Sequence, residues 1–205
     1  LGLRDKTALN TLTEFTQNAL CVDKGGSLLI TGEQGAGKTS AVIGVSRSIQ
    51  EQSIHTPSYP VLLAVDSLSI LTAHSHQCRS GSSILMDLFA LAKVCSPSIL
   101  LLDDVSNLID TGYEELLVNL MKGLTLSSSS GRSGGHDSCG NRVFVVGSCL
   151  SSQSLRPDLS RYFLDKIVIP NPSSAQRSAI VQFLSRLPHS FPLWKKPDIE
   201  IISAE

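Results

Sequence analysis

Gly32-Glu33-Gln34-Gly35-Ala36-Gly37-Lys38-Thr39 decides how the rest of the chain is read. The stretch satisfies G-x-x-x-x-G-K-[ST], a phosphate-binding loop, and its surroundings have the form that such a loop requires. The apolar run Ser27–Ile30 reads as a short buried strand leading into it. Ala41, Val42, Val45 and Ile49 then recur at helical spacing behind it. Each residue type has a physical reason. Gly32, Gly35 and Gly37 let the backbone wrap closely, so that N–H groups of the loop, including those of Glu33, Gln34 and Ala36, turn toward phosphate oxygens. The helix starting at Lys38 adds the positive end of its dipole. Lys38 brings a point charge to the β- and γ-phosphates, and Thr39 brings a hydroxyl to Mg²⁺.

About sixty residues further on, Ile99-Leu100-Leu101-Leu102-Asp103-Asp104 is an apolar strand that ends in acids. Such a strand delivers carboxylates to the carboxyl edge of a sheet. There Asp103 is expected to hold Mg²⁺, directly or through water, and Asp104 to act as the base that orients an attacking water. By itself the pair would read as a polar strand end. Its order and spacing after the phosphate loop favour the metal reading. Asp104 is one methylene shorter than a Glu would be.

The pattern continues outward in both directions. Helices are expected over Arg4–Leu20, Lys38–Ile49, Ser83–Val94, Tyr113–Leu124 and Ser173–Leu187, with one more beginning at Pro197. Strands are expected at Ser27–Gly32, Tyr59–Val65, Ser98–Asp104, Arg142–Gly147 and Lys166–Ile169. Strands alternating with helices imply an α/β, three-layer sandwich around a five-stranded parallel sheet. One segment breaks the rhythm. Ser127–Gly140, SSSSGRSGGHDSCG, is Ser/Gly-rich without an apolar period and reads as a flexible insertion. It carries part of an excess of serine, 32 residues in all.

Composition limits the alternatives. The 205 residues are 41% hydrophobic and 17% charged, with a net charge of −1, which excludes overall disorder and suits one domain, or one and a fraction. The near-neutral balance gives no support to direct nucleic-acid binding. The longest apolar runs are far short of a transmembrane segment, and LGLRDKTALN is not a signal peptide. Five cysteines, Cys21, Cys78, Cys95, Cys139 and Cys149, follow no disulfide or ligand spacing, so a reducing, cytoplasmic setting is expected. His74, His76 and Cys78 alternate within AHSHQCRSG, but with no fourth ligand they read as exposed loop residues.

These motifs together resemble the AAA family of ATPases, and the resemblance spans essentially the whole chain. Besides the phosphate loop and the SILLLDD strand, IVIPNPSSAQRSAI is similar to the family's I-x-I-P-x-P strand followed by an R-x-x-I helix. The matching positions are Ile167, Ile169, Pro170, Pro172, Arg177 and Ile180. Leu1-Gly2-Leu3 is similar to a short segment that packs on adenine in the family. The resemblance implies a nucleotide-binding core over residues 1–172 and the truncated start of a small helical lid over 173–205, with Trp194 as a packing anchor. It also implies ATP and Mg²⁺ as ligands, neighbouring AAA subunits in a homo- or hetero-hexamer, and a protein substrate remodelled by the parent ring. The missing initiator Met and the stop inside PDIEIISAE suggest a piece of a longer protein. Within the family, SPSILLLDDVSNLI and SCLSSQSLRPDL are similar to stretches of an ATPase of peroxisome biogenesis and matrix protein import, which implies a location peripheral to the peroxisomal membrane. The alternatives are a structural nucleotide site with little hydrolysis, or another AAA pathway such as ribosome maturation, vesicle fusion or DNA replication.

The chain also departs from the family. Cys149 stands where an Asn usually helps position the attacking water, and a thiol is a poor substitute; the hydroxyl of Ser148 is the nearest compensation. Of the arginines that the family directs to a neighbouring subunit's nucleotide, LRPDLSRYFLD retains Arg156 and Arg161, with Arg161 the expected finger. AHSHQCRSG takes the place of the pore loop and has no aromatic, so gripping a polypeptide with a ring is not expected of this domain.

Overall fold

Runs of β-branched and aliphatic residues with no polar alternation demand burial on both faces, and three strands of this chain have that character. In the computed structural model, which describes residues 6–21, 25–53, 59–76, 80–109, 111–127 and 142–185, β1 (Gly26–Thr31), β3 (Ser98–Asp103) and β4 (Val143–Cys149) are buried almost throughout. The less buried β2 (Val61–Asp66) and β5 (Asp165–Val168) take the edges. All pairings are parallel and the order is β2-β3-β4-β1-β5. The expected five-stranded α/β sandwich is therefore the observed one.

Helices close both faces. On one side α1 (Lys6–Cys21) and α2 (Lys38–Gln52) bury Leu12, Leu20, Val42, Val45 and Ile49 against Leu28, Ile30, Leu101 and Val146. On the other side lie α3 (Ser67–His76), α4 (Gly81–Val94) and α5 (Tyr113–Ser127). They cover Leu29, Leu100, Leu102 and Val145 with Ile70, Leu85, Phe89, Leu117 and Met121. Each fully buried Leu, Ile or Phe contributes about 1.5–3 kcal/mol of transfer free energy, so the sheet is a rigid platform for groups at its edges. A short α6 (Pro157–Ser160) and α7 (Ser174–Ser185) complete the described elements.

Two expectations need correction. The segment after β2 is not an open loop: Ser67–His76 is helix, and His74 and His76 fall in its last turn. The sequence hid it because Ser67, Ser69 and Thr72 interrupt an apolar face that rests on buried Ile70 and half-buried Leu71. Ser127, read as the start of the insertion, is the last residue of α5. Residues 128–141, Leu1–Leu3, Cys78, Trp194 and everything after Ser185 lie outside the described residues, so α7 is the described part of the expected lid. Among the described residues no helix is long and apolar enough to cross a membrane.

Parallel pairing places the carboxyl ends of β1, β3 and β4 side by side, with β4 between the other two. The loop after β1, the acid that ends β3 and the last residues of β4 thus share one edge. In open α/β sheets that edge is where ligands bind.

Candidate functional site: a phosphate-loop cleft

The phosphate loop is held by its backbone. Gly35 and Gly37 have φ of 80° and 83°, the left-handed region that glycine enters without penalty, and Gly37 passes directly into α2. A Cβ on Gly35 would meet nothing within 4 Å, so its glycine is required by the backbone conformation and not by crowding. Gly32 is required for a different reason: a Cβ there would lie 2.4 Å from the carbonyl oxygen of Ile169, where the chain leaves β5. The loop is thereby pressed against the segment that leads into α7, and Glu33 and Asn171 add a side-chain hydrogen bond across the same junction.

Lys38 is buried, 7% exposed, and its Nζ donates to the carbonyls of Gly32 at 2.9 Å and Glu33 at 3.1 Å. An ammonium so placed sits at the mouth of the loop, on neutral acceptors that a phosphate oxygen outcompetes. Thr39, one residue on, donates from Oγ1 to Oδ2 of Asp103 at 2.7 Å, joining the first turn of α2 to the end of β3. The other carboxylate oxygen, Oδ1, accepts from the Ser148 hydroxyl at 2.5 Å, and the Asp103 carbonyl accepts from Ser67 Oγ at 2.6 Å. Asp103 is thus held on three sides.

Asp104 follows the strand in a left-handed conformation, φ 50° and ψ 53°, which Asp tolerates better than most residues. Its backbone N–H donates to Ser148 Oγ at 2.9 Å. Burial pushes its carboxyl above the ordinary carboxylate value, the charges of Asp103 and Asp66 push the same way, and Lys38 opposes them. Together Gln34, Gly35, Lys38, Thr39, Asp103 and Asp104 line a cleft of about 370 Å³. Ser40, Ser106, Asn107 and Leu150 also line it, and none of these four is expected from the sequence.

The donor set fits Mg²⁺ and a polyphosphate. A hydroxyl and a carboxylate are hard oxygen ligands of the kind that Mg²⁺ takes alongside phosphate and water. The left-handed loop and the buried ammonium suit phosphate oxygens. A second, apolar pocket begins at the same Gly35. Leu9, Ala36, Ile169, Pro172 and Ile180 line it, together with Gln176, a composition suited to a flat aromatic ring with one polar edge.

The structure separates the remaining expected residues from this cleft. Cys149 is fully buried; its thiol donates to the Ser151 carbonyl at 3.3 Å and it belongs to the cluster of Leu155, Leu159 and Phe163 on the opposite face of the sheet from Asp103. Burial also pushes its pKa above the ordinary thiol value. Arg161 lies in a different cleft, beside α5 and α6, where it pairs with Asp158, while Arg156 pairs with Glu114 at 3.1 Å. Within one chain Arg161 is not part of the phosphate-loop cleft.

A P-loop nucleotide-binding α/β domain is the class that this fold and cleft define. A sequence profile of the ATPase family associated with various cellular activities (AAA) matches residues 28–171, and the chain belongs to that family. Among solved structures it is similar to the FIGL-1 AAA domain in complex with ADP, at 18% identity and a TM-score of 0.65 over 98% of this chain and 65% of that one. It is also similar to a structure from work on katanin self-assembly, at 20% identity and a TM-score of 0.62 over 97% of this chain and 61% of that one. At such identities the likeness is one of fold, and the chain spans slightly less than two thirds of the length of either structure. No curated protein matches the sequence.

Proposed function

We propose that the cleft binds ATP with Mg²⁺ and that the domain works as one ATPase module of a ring. The observation that carries this reading is the Thr39–Asp103 hydrogen bond, 2.7 Å across 64 residues of sequence, which brings a hydroxyl and a carboxylate together beside the buried Lys38. When bound, Mg²⁺-ATP supplies the γ-phosphoryl group and the metal charge that offsets its negative oxygens. Loop N–H groups from Gly32 to Lys38 and the Lys38 ammonium would bind the phosphates, and Thr39 and Asp103 would hold the metal. Asp104 would orient the attacking water and accept its proton; the raised pKa of its carboxyl makes it a stronger base than a surface Asp. Arg161 would be offered to the nucleotide of an adjoining subunit, which requires its release from Asp158. Katanin's self-assembly and the ADP bound by the FIGL-1 domain support ring formation and nucleotide binding by analogy of fold.

The finer reading rests on residues 96–109 and 148–159, whose resemblance is to the first ATPase domain of peroxin-one. It gives the parent ring a role in extracting or remodelling proteins during peroxisome biogenesis and matrix protein import, and a location in the cytoplasm, peripheral to the peroxisomal membrane. A core over residues 1–172 with a lid from 173 fits the apolar pocket between Ile169 and Ile180.

A second reading has its own observation. Cys149 is turned away from the cleft, so the position where the resemblance expects an Asn offers no side chain to the attacking water, and a site that binds ATP to stabilise ring assembly with little turnover fits that difference. Calorimetric titration with a non-hydrolysable ATP analogue and Mg²⁺ tests the shared claim: one site per chain is expected, weakened on the order of a hundredfold in Lys38→Ala. Unchanged binding in that variant would overturn it. Single-turnover hydrolysis by the assembled protein, wild type against Asp104→Asn, then separates motor from structural site.

A further inference from the structure

We infer that Ser148 is a positioning residue for both acids of the cleft, a role that deepens the Mg²⁺-ATP reading and rests on it. The β3–β4 ladder runs from Ser98↔Val143 to Leu102↔Gly147 and then stops, which leaves Asp103 beside Ser148 where the next rung would be. At that point the side chain takes over from the backbone. The Ser148 hydroxyl donates its one proton to Asp103 Oδ1 and accepts the N–H of Asp104, so a single oxygen ties two consecutive residues of β3's end to β4.

Both bonds have consequences for geometry. Thr39 holds Oδ2 of Asp103 and Ser148 holds Oδ1, so the carboxylate plane is fixed between α2 and β4 and cannot rotate away from the metal position without breaking one of them. The N–H bond stabilises the left-handed backbone of Asp104, and that conformation decides where its carboxyl leaves the strand. Ser148 is wholly buried, so no water can replace its hydroxyl without a cavity opening for it. A buried hydroxyl whose donor and acceptor are both used by candidate site residues is placed for orientation rather than for packing alone.

The test uses Ser148→Ala, which removes the hydroxyl, and Ser148→Thr, which keeps it. Binding of a non-hydrolysable ATP analogue is measured with Mg²⁺ and with EDTA. For Ser148→Ala the gain in affinity from Mg²⁺ is expected to shrink by about tenfold, in the range found when a residue behind a metal ligand is removed. Affinity in EDTA is expected to stay within about twofold, because the Lys38 loop is untouched. Ser148→Thr is expected to restore the Mg²⁺ gain. A general loss of packing would lower both affinities together. Hydrogen exchange at the Asp104 amide supplies a readout without nucleotide: Ser148→Ala should exchange at least about tenfold faster there. Wild-type Mg²⁺ gain or unchanged Asp104 protection in Ser148→Ala overturns the inference. If wild type itself binds no nucleotide, the nucleotide reading fails, while the exchange rate still decides whether Ser148 holds Asp104.

Discussion

The two halves of the cleft are built differently. The binding half, Gly32 to Thr39 with Asp103, consists of backbone, a buried ammonium, and a carboxylate whose oxygens both accept hydroxyl protons. The proposed hydrolytic half has only Asp104 in the cleft, on a left-handed turn; the thiol of Cys149 is directed elsewhere, and Arg161 lies in another cleft, paired with its own chain's Asp158. Groups that only bind can be fixed by the sheet, since β1 and β3 must end where they do. Groups that act on the attacking water depend on one or two side chains of the right length, and those can be lost while the fold persists. On the proposed reading, phosphate binding and turnover are therefore separable in this domain.

The largest expected effect lies on the binding side. Lys38→Ala removes a charge-assisted contact from a buried position and should weaken ATP binding by about 3 kcal/mol, on the order of a hundredfold in Kd. Calorimetry checks the affinity, and circular dichroism checks that the fold is retained. Next comes the hydrolytic side, where Asp104→Asn should leave Kd within about twofold and slow turnover about a hundredfold. Turnover that is unaffected would remove Asp104 as the base. The direction of the Asp104 shift adds a pH signature. Its carboxyl protonates at a higher pH than a free Asp, so turnover should fall on acidification before the ordinary carboxylate range is reached, and Asp104→Asn should lack that limb.

A smaller effect tests how the binding half is supported. In Gly32→Ala the new methyl would meet the Ile169 carbonyl at 2.4 Å, so a loss of about 1–3 kcal/mol in stability is expected, read as a lower Tm together with weaker binding. The smallest concerns the outlying cleft. Arg161 and Asp158 are both mostly exposed, so Arg161→Ala should change the stability of the isolated domain by less than about 0.5 kcal/mol. Any large effect of that substitution should appear only in the turnover of the assembled protein.

The same division explains what could be read before the structure. The phosphate loop, the acid-terminated strand and all five strands were legible, because each is a contiguous pattern of glycine, charge or apolar residues with a fixed period. Helix α3 was not, since its polar residues and the histidines of its last turn mask a face carried by Ile70 and Leu71. Ser148 could be named as a neighbour of Cys149, yet its bonds to Asp103 and Asp104 follow only from the β3–β4 register. The direction of Cys149 was hidden likewise. Alternation along β4 places it on the α5 side, and a strand with no polar alternation does not disclose which face is which.

The account depends most on Thr39 and Asp103 holding a metal beside the phosphates. Titration of ATP into wild type and Asp103→Asn, with Mg²⁺ and with EDTA, tests this directly, since the substitution keeps shape and removes charge. Wild type should bind about tenfold or more tightly with Mg²⁺, and Asp103→Asn should lose that difference while keeping its metal-free affinity. Equal Mg²⁺ dependence in the two proteins would contradict the account.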